Sequence, residues 1–566
     1  GQHIFNLHLL PPAGHTNPVF ILFLPTTERP SEPEDEAMGG AGTALLGDAS
    51  PWTLLAGAAA VAVLCCAVQM LEWAWWGPRR MDGVLRAQGL RGTKYRFLKG
   101  DLKEEQRLTV EAWSRPVPMD RAHDIVPRVA PLLHRVMEEH GKVSFTWFGP
   151  CPRIAIGDPE LVREVLSSKF GHFEKTKLVR LSRLLVGGLA VLDGEKWAKH
   201  RKIMNPAFHA DKLKRMLPSF SASCSELIGR WENSGTLSVG AIEVDIWSEF
   251  QDLSGDVISR AAFGVSNQEG KRIFHLQTEQ AERLVQSFRT SYIPGFSLLP
   301  TENNRRMKAI NIEVKEMLRG IIEKRQKRMK NGGIANDDLL GLLLEANMDY
   351  SDADGKPSKA MTIEDVIGEC KLFYFAGMET TAVLLTWTVV VLSMHPEWQD
   401  RAREEVLRVF GQNKPDLNGL NRLKVVTMVF NEVLRLYPPV VLINRRTCRK
   451  TELGGVTYPP DVMLSLNIMS IHRDPGIWGD DSHEFNPGRF AEGVSKACSN
   501  PGAFFPFSSG PRNCIGQNFA LLEAKVAISM ILQHFVFELS PSYIHAPCTV
   551  LTLHPQHGVP VRLHRL

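Results

Sequence analysis

The sequence has no pair of cysteines at the two-residue spacing that zinc sites and thiol-disulfide motifs use. Its nine cysteines are odd in number and scattered, at positions 65, 66, 151, 224, 370, 448, 498, 514 and 548. A secreted disulfide framework needs an even set of cysteines at regular spacings. The pattern excludes a zinc ribbon and a disulfide scaffold, and it predicts reduced thiols in a domain that faces the cytosol.

The sequence also has little excess of charge of either sign. Its 66 basic and 62 acidic residues leave a net charge of +4 over 566 residues. Because proteins that bind nucleic acid carry a strong basic patch or stripe, this balance predicts no nucleic-acid partner. Internal repeats are missing too, while hydrophobic residues make up 44% of the chain. The composition predicts one large packed domain.

Charge is wholly missing from one segment, which runs from Pro51 to Leu71. A helix of this length spans roughly 30 Å, the thickness of the hydrocarbon core of a bilayer. Three tryptophans and then two arginines follow it, whereas no basic residue stands between positions 38 and 51. This flank predicts a single transmembrane anchor at residues 51–76, with the following domain in the cytosol. A signal peptide or a buried core helix is the alternative, but a signal peptide should carry its basic residues ahead of the apolar run.

The remaining sequence predicts a mainly α fold with a small β portion. A proline-rich, acidic stretch at residues 1–50 predicts a disordered N-terminal extension, and residues 77–566 predict one cytosolic domain. The polar stretch at residues 331–359 predicts a loop. Strands are predicted at Val143–Phe148 and Arg153–Ile156. Amphipathic helices are predicted at 211–231, 271–289, 304–329, 363–394, 398–410 and 517–535.

The strongest chemical motif surrounds Cys514, which stands where a glycine-bracketed loop enters a predicted helix. Backbone N–H groups and the positive end of the helix favour a thiolate, so they should lower the pKa of Cys514 and make it a metal ligand. Gly510 and Gly516 allow a flat cofactor to approach the backbone, and Arg512 can pair with an anionic cofactor edge. A buried inert thiol is the alternative for any single cysteine, and the combined spacing makes it the poorer interpretation.

The spacing of Phe507, Gly510, Arg512, Cys514 and Gly516 resembles the haem-binding signature of the cytochrome P450 family. This resemblance implies the P450 fold after a single N-terminal transmembrane helix, with haem iron held by the thiolate of the cysteine. It also implies a monooxygenase that uses O₂ and electrons from NADPH, delivered by NADPH-cytochrome P450 reductase. The implied location is the endoplasmic reticulum membrane, with the catalytic domain in the cytosol.

A second P450-like motif lies in the long apolar helix predicted at 363–394. Gly377 would leave room for O₂ above the iron, and the matching residues of the family relay protons through Glu379 and Thr380. The alternative is an ordinary helix interior, in which a glycine is tolerated and the threonine bonds back to the preceding turn.

A third group of residues matches a structural network of the family. Glu432 and Arg435 stand three apart on one helix face, and the family pairs them with a downstream arginine, here Arg489. The network would lock the loop that presents the cysteine. The family usually has an acid where Gly488 stands, so the resemblance predicts a looser network here. An ordinary surface ion pair is the alternative.

Further matches concern the two propionates of haem. Trp197 and Arg201 match the family's propionate-binding pair, and Arg446 matches another propionate arginine. The alternative for the first two is a solvated basic helix face at residues 196–202.

The stretch 186–208 and the ending TVLTLHPQHG resemble a plant subgroup that contains secologanin synthase and that oxidises iridoids, gibberellins and triterpenoids. The substrate implied is therefore an apolar small molecule of terpenoid type. The pocket implied by position is lined by residues 173–192, 372–373, 440–443 and 550–552. Alternatives to a monooxygenase are a haem-thiolate isomerase or dehydratase, a non-catalytic haem sensor, and a membrane receptor without haem.

Overall fold

The computed structural model describes residues 51–168, 171–176, 181–233, 241–264, 267–288, 290, 292–331, 338–348 and 361–566. The chain divides into two compact units, residues 1–67 and 68–566. The predicted extension at residues 1–50 lies outside the described residues. The limits 51–76 for an anchor and 77–566 for a catalytic domain remain predictions. Within the second unit, the Tyr95 hydroxyl donates a hydrogen bond to the carbonyl of Ala74.

The apolar run predicted as an anchor forms helix α1, Pro51–Leu71, and none of its residues is buried. A π-helical turn, Glu72–Trp76, follows it. Among the described residues, one other helix is long and apolar enough to cross a membrane, Ile363–Met394, but 78% of its most apolar window is buried. Burial identifies that second helix as a core helix, whereas the exposed α1 is a candidate membrane span.

Helices make up most of the second unit. After α1 they are α2 Gly77–Ala87, α3 Leu102–Trp113, α4 Val126–Val129, α5 Pro131–His140, α6 Pro159–Ser167, α7 Ser182–Leu185, α8 Gly194–Met204, α9 Ala210–Asn233, α10 Ile246–Phe263, α11 Asn267–Ser287, α12 Glu302–Lys330, α13 Leu339–Met348, α14 Ile363–Met394, α15 Pro396–Phe410, α16 Leu417–Arg422, α17 Lys424–Leu436, α18 Ile468–Ile471, α19 Pro475–Trp478 and α20 Gln517–His534. The predicted mainly α class and the six predicted long helices are confirmed, with ends that differ by at most a few residues.

The strands are short and form one six-stranded main sheet, one three-stranded sheet and two two-stranded sheets. They are β1 Arg91–Gly92, β2 Val143–Phe148, β3 Cys151–Ile156, β4 Phe173–Lys175, β5 Ile242–Asp245, β6 Ile443–Thr447, β7 Thr451–Leu453, β8 Val456–Tyr458, β9 Met463–Leu466, β10 Phe535–Leu539, β11 Pro547–Val550, β12 Thr552–Pro555 and β13 Pro560–Arg565. The main sheet has the order β1-β2-β3-β9-β6-β4, and β11 and β12 form a separate hairpin. Both predicted strands are confirmed, as β2 and β3.

Helix α14 lies at the centre of the core. Its start is fixed by a capping box, in which Thr362 and Asp365 bond each other's backbone N–H groups. Pro396, at the first turn of α15, prevents the same helix from continuing. Nearly every side chain between Ala382 and Leu392 is buried. The helix packs on α10, α17 and α20, so residues on α14 have fixed positions relative to the cysteine loop before α20.

The loop predicted at residues 331–359 is wrong in its middle part, where Leu339–Met348 forms α13. Leu339, Leu340, Leu342, Leu343 and Leu344 are all buried. The polar residues on both sides lower the average hydropathy of the whole stretch, so a short apolar helix within it was not recognised. This helix closes the core over α8 and α10.

Candidate active site

The loop that carries Cys514 is held against the protein by its backbone. The amide of Cys514 donates to the carbonyl of Phe507 at 2.9 Å, which closes the loop. Gly510 has a φ of 70°, and a β-carbon there would lie 2.2 Å from the carbonyl oxygen of Leu166 in α6. Only glycine fits that conformation and that contact. A β-carbon on Gly516 would meet nothing closer than Phe208 at 3.9 Å, so protein atoms leave this side of the loop open.

The environment of the Cys514 thiol is both enclosed and reachable by solvent. Solvent reaches the side chain, yet removal from bulk water is the largest influence on its pKa, and it raises that pKa. The amide of Gly516, the charge of Arg201 and the amide of Gln517 act in the opposite direction. A thiol at the bottom of a concave recess satisfies both observations. The predicted donors are present, but the prediction that they lower the pKa of the thiol is wrong for the protein alone, because desolvation outweighs them.

Helix α8 is fastened to the cysteine loop through Arg201. Its guanidinium donates to the backbone oxygen of Asn513 at 2.8 Å and to the side-chain oxygen of the same residue at 2.9 Å. The guanidinium of Arg512 lies over the Trp197 ring, 4.5 Å from its centroid. Arg512 also donates to the carbonyl of Leu192 at 2.9 Å. The structure thus brings two predicted site residues of α8, Trp197 and Arg201, together with Arg512 and Asn513 of the cysteine loop.

Three cationic side chains, Lys175, Arg445 and Arg512, lie close together next to the cysteine loop, with few carboxylates near them. Desolvation, and then the charge of Arg512, lower the pKa of Lys175 to about 7 and the pKa of Arg445 to about 10. Asp193 opposes both shifts and is paired with Arg512. Glu369 opposes the shift of Lys175 as well. Two carboxylates bound at this place would favour the charged forms of all three cations. The cluster is therefore suited to bind a cofactor edge that carries two negative charges.

Arg446, the residue predicted from the resemblance, does not face this cluster. Its guanidinium is taken by two carboxylates, Glu174 and Asp461, each at 3.0 Å. Neighbouring residues of a strand point to opposite faces, and it is Arg445 that lies toward Arg512. In this structure Arg445, the residue before the predicted Arg446, therefore lies beside Arg512. Sequence analysis did not single out Lys175, which pairs with Arg445 across β4 and β6. The sequence of β6 alone does not show which of its side chains lie on which face, and the pairing with β4 was needed to decide this.

On α14 the predicted oxygen-handling residues have defined contacts. The Thr380 hydroxyl donates to the carbonyl of Ala376 at 2.7 Å, which is the back-bonded arrangement of the alternative interpretation. A β-carbon on Gly377 would lie 2.4 Å from Cδ1 of Ile258 in α10, so this glycine permits close helix packing. Glu379 is buried, and its Oε1 accepts from the Thr552 hydroxyl at 2.6 Å and bonds Nε2 of His554. Thr552 and His554 were not predicted as partners.

The predicted ion network is assembled and deeply buried. Arg435 bonds both carboxylate oxygens of Glu432 at 2.8 Å, and Arg489 donates to Oε1 of Glu432 at 3.1 Å. Neither Glu432 nor Arg435 is exposed at all. Asp481 accepts from Arg489 at 2.8 Å and supplies the acid that Gly488 does not. The looser network that was expected at Gly488 is therefore not observed.

An apolar cluster unites several of the segments predicted to line a pocket. Leu181 and Leu185 pack with Leu551, at the tip of the β11–β12 hairpin, and with Phe375 of α14. Leu372 and Phe373 pack instead into the main core, and Val440 and Ile443 pack beside the main sheet. Residues 177–180 of the first predicted segment lie outside the described residues. Phe375 and Phe288, rather than Phe373, are therefore the aromatic residues of this cluster.

The family profile described as "Cytochrome P450" matches residues 128–557. The chain belongs to the cytochrome P450 family. It is 57% identical over 532 residues to cytochrome P450 CYP72A616 of Paris polyphylla, which covers 94% of this chain and 100% of that protein. It is 49% identical over 512 residues to echinocystic acid 23-monooxygenase of Saponaria officinalis, with 90% and 98% covered. These relatives confirm the predicted plant subgroup.

A solved P450 has the same fold. Cyanobacterial CYP120A1 with retinoic acid bound aligns with a TM-score of 0.65 and 24% identity, over 76% of this chain and 93% of that one. Its likeness confirms the P450 fold of the second unit.

The residues of this P450 fit the haem that the family uses together with O₂ and electrons supplied by a reductase. The thiol lies in a recess bordered by an uncovered glycine, and cations stand beside it with their charge incompletely balanced. Cys514 would hold the haem, which would supply the oxygen chemistry of a monooxygenase. The chain would supply the thiolate ligand and the cationic side chains beside the cofactor.

Proposed function

We propose that this P450 hydroxylates an apolar terpenoid, with Cys514 as the iron ligand and Arg512, Arg445 and Lys175 beside the haem propionates. The observation that carries the proposal is the juxtaposition of the cysteine recess with the unbalanced cations. Arg201 and Trp197 hold the cysteine loop in place through Asn513 and Arg512. Thr380 and Glu379 of α14 would handle the protons that the reaction consumes.

The substrate class rests on the lining and on one relative. The cluster of Leu181, Leu185, Phe375 and Leu551 is aliphatic and aromatic in character, which suits contact with a fused hydrocarbon skeleton. The relative named for echinocystic acid acts on a triterpenoid and is 49% identical to this chain. A terpenoid substrate is consistent with both.

The apolar helix α1 supports a proposal for the location of the protein and for its electron donor. An exposed apolar helix of 21 residues is suited to a single membrane span. The aromatic and arginine-rich flank after it favours a cytosolic catalytic domain. We expect insertion in the endoplasmic reticulum membrane and reduction by NADPH-cytochrome P450 reductase.

The first test is the absorption spectrum of the reduced protein with and without carbon monoxide. Thiolate ligation by Cys514 predicts a strongly red-shifted Soret band, which Cys514→Ala should remove. Cys498→Ala is the matched control, since that thiol lies outside the recess and bonds the carbonyl of Asn500. Loss of the band in both variants, or in neither, would refute the assignment.

The second test is a terpenoid screen with reductase, NADPH and ¹⁸O₂. One labelled oxygen per product molecule is the expected result. Product formed without NADPH would support an isomerase or dehydratase instead. Haem binding without any product across the screen would support a haem sensor.

A further inference from the structure

The junction between α14 and the β11–β12 hairpin contains a carboxylate with two side-chain partners. Oε1 of Glu379 accepts from the Thr552 hydroxyl at 2.6 Å and bonds Nε2 of His554. Glu379 and Thr552 are each only 5% exposed. Burial of a carboxylate costs free energy unless its oxygens are bonded, so these contacts keep an ionisable group inside the protein one residue before Thr380.

His554 is the partner that reaches solvent. Its side chain is 20% exposed, compared with 7% for the carboxylate side chain that it bonds. The imidazole lies against Trp247 at the start of α10, with ring centroids 4.8 Å apart. An imidazole has two ring nitrogens, one of which can accept a proton while the other donates one. His554 thus spans the distance from solvent to Glu379 with a group that can pass a proton through.

The hairpin holds this histidine in a fixed place. Trp387 of α14 donates from its indole nitrogen to the carbonyl of Leu553 at 2.8 Å, and the amide of Leu553 donates to Pro439 at 3.1 Å. Leu551 at the hairpin tip has a φ of 63° and packs in the apolar cluster. Since both residues that flank Thr552 are held, the backbone that carries Thr552 and His554 has a fixed position beside Glu379.

We propose that His554 carries protons between solvent and Glu379 in the turnover of this enzyme, an inference that rests on the proposed monooxygenase function. In one transfer Nδ1 of the ring takes a proton from a hydronium ion, which leaves as water, and Nε2 gives its proton to Oε1 of Glu379, so that the ring changes from one neutral tautomer to the other. The carboxylate becomes a carboxylic acid, and the charge of the ring does not change. Glu379 then holds a proton beside Thr380, and Thr552 keeps Oε1 in place by its hydrogen bond.

Two substitutions separate proton transfer from hydrogen bonding. The amide of His554→Gln can still donate to Oε1 but cannot shuttle a proton, whereas His554→Phe removes both abilities. His564→Gln is the matched control, because His564 bonds the carboxylate of Glu538 at 3.3 Å in a solvent-exposed pair on β10 and β13. The thermal unfolding midpoint, followed by tryptophan fluorescence, is expected to fall for His554→Phe and to stay near that of the parent for His554→Gln.

The functional measurement is the oxidation of NADPH by the reductase-coupled enzyme in H₂O and in D₂O, with peroxide release recorded. We expect His554→Gln to lower the coupling of NADPH to oxygen insertion by about a hundredfold, the lower end of the range for proton-transfer groups. Its solvent isotope effect should exceed that of the parent. The double variant with Glu379→Gln should be no worse than Glu379→Gln alone, since both groups act in one step.

The proposal is overturned if His554→Gln matches His564→Gln in isotope effect and peroxide release. It is also overturned if only His554→Phe is uncoupled, because that outcome assigns His554 a purely structural contact. The isotope effect on NADPH oxidation is measured with and without added terpenoid, so it does not depend on knowing the substrate. If the parent enzyme forms no product in the terpenoid screen, the proposed function is refuted. The isotope effect then still decides whether His554 transfers protons.

Discussion

Two adjacent arginines of β6 have different tasks, and a pair of substitutions distinguishes them. Arg445 is buried beside Arg512, whereas Arg446 is held by Glu174 and Asp461. We expect Arg445→Ala to lower the haem content per protein severalfold, because a cation beside a bound carboxylate is lost. Arg446→Ala should retain haem. Haem content is measured by the pyridine haemochrome absorbance, and equal losses in the two variants would contradict the assignment.

A buried lysine gives the stability of the fold a pH dependence. Lys371 is 3% exposed and bonds the carbonyl of Leu184 and the side chain of Asn311. Desolvation, and then the nearby Lys315, lower its pKa from 10.5 to about 7. Between these values the unfolded chain binds the proton and the folded chain does not, so the contribution of Lys371 to the free energy of unfolding rises with pH.

This dependence predicts how the parent compares with Lys371→Met. As pH rises from about 7 to about 9, the thermal midpoint of the parent should rise relative to that of the variant. Differential scanning fluorimetry at several pH values measures the difference. A difference that stays constant with pH would show that Lys371 does not titrate in this window.

At the scale of the element, the cysteine loop depends on its close approach to α6. Gly510→Ala would place a β-carbon 2.2 Å from the backbone oxygen of Leu166 at a φ of 70°. Gly493 is the matched control, with a φ of 89° and nothing within 4 Å of its added β-carbon. Gly493→Ala should cost about 1–3 kcal/mol from the backbone conformation alone. Gly510→Ala should cost more and should also diminish the thiolate-type carbonyl spectrum, which Gly493→Ala leaves intact.

The buried network of α17 is expected to respond far more strongly than a surface pair. Glu432→Ala leaves Arg435 and Arg489 without their shared carboxylate, and breaking such a buried pair typically costs about 3–5 kcal/mol. Glu249→Ala, which breaks a partly exposed pair with Arg230, should cost about 0–1 kcal/mol. Denaturant unfolding measures both. Similar losses would mean that the buried network adds nothing beyond an ordinary ion pair.

The sequence predicted those features that depend on contacts between residues close together in the chain. It did not predict features that depend on contacts between distant segments. The limits of α14 were predicted correctly, because Thr362, Asp365 and Pro396 mark them within the chain itself. The grouping of Glu432, Arg435 and Arg489 came from the family resemblance. Arg445, Lys175 and His554 were missed because a strand partner or a distant helix gives each of them its role.

At the scale of the whole molecule, the division into two units predicts which N-terminal truncations leave the catalytic domain folded. Removing residues 1–71 should leave the carbonyl spectrum unchanged and make the protein extractable from membranes by alkaline carbonate, since α1 contributes no buried residue. Removing residues 1–87 deletes α2, with the fully buried Leu85 that packs against the main sheet. The longer truncation should lower the thermal midpoint. Equal midpoints for the two truncations would contradict a structural role for α2.

Helix α14 also has a consequence for how enzymes of this kind diverge. It carries Glu369, which bonds His200 of α8, and Glu379, which bonds the hairpin, about 15 Å apart along one rigid axis. A substitution that shifts this helix would disturb the cofactor border and the proton-handling end together. Inherited changes of substrate should therefore accumulate at Leu181, Leu185 and Leu551, which come to one apolar cluster from short, separately held segments, while the sequence of α14 changes slowly.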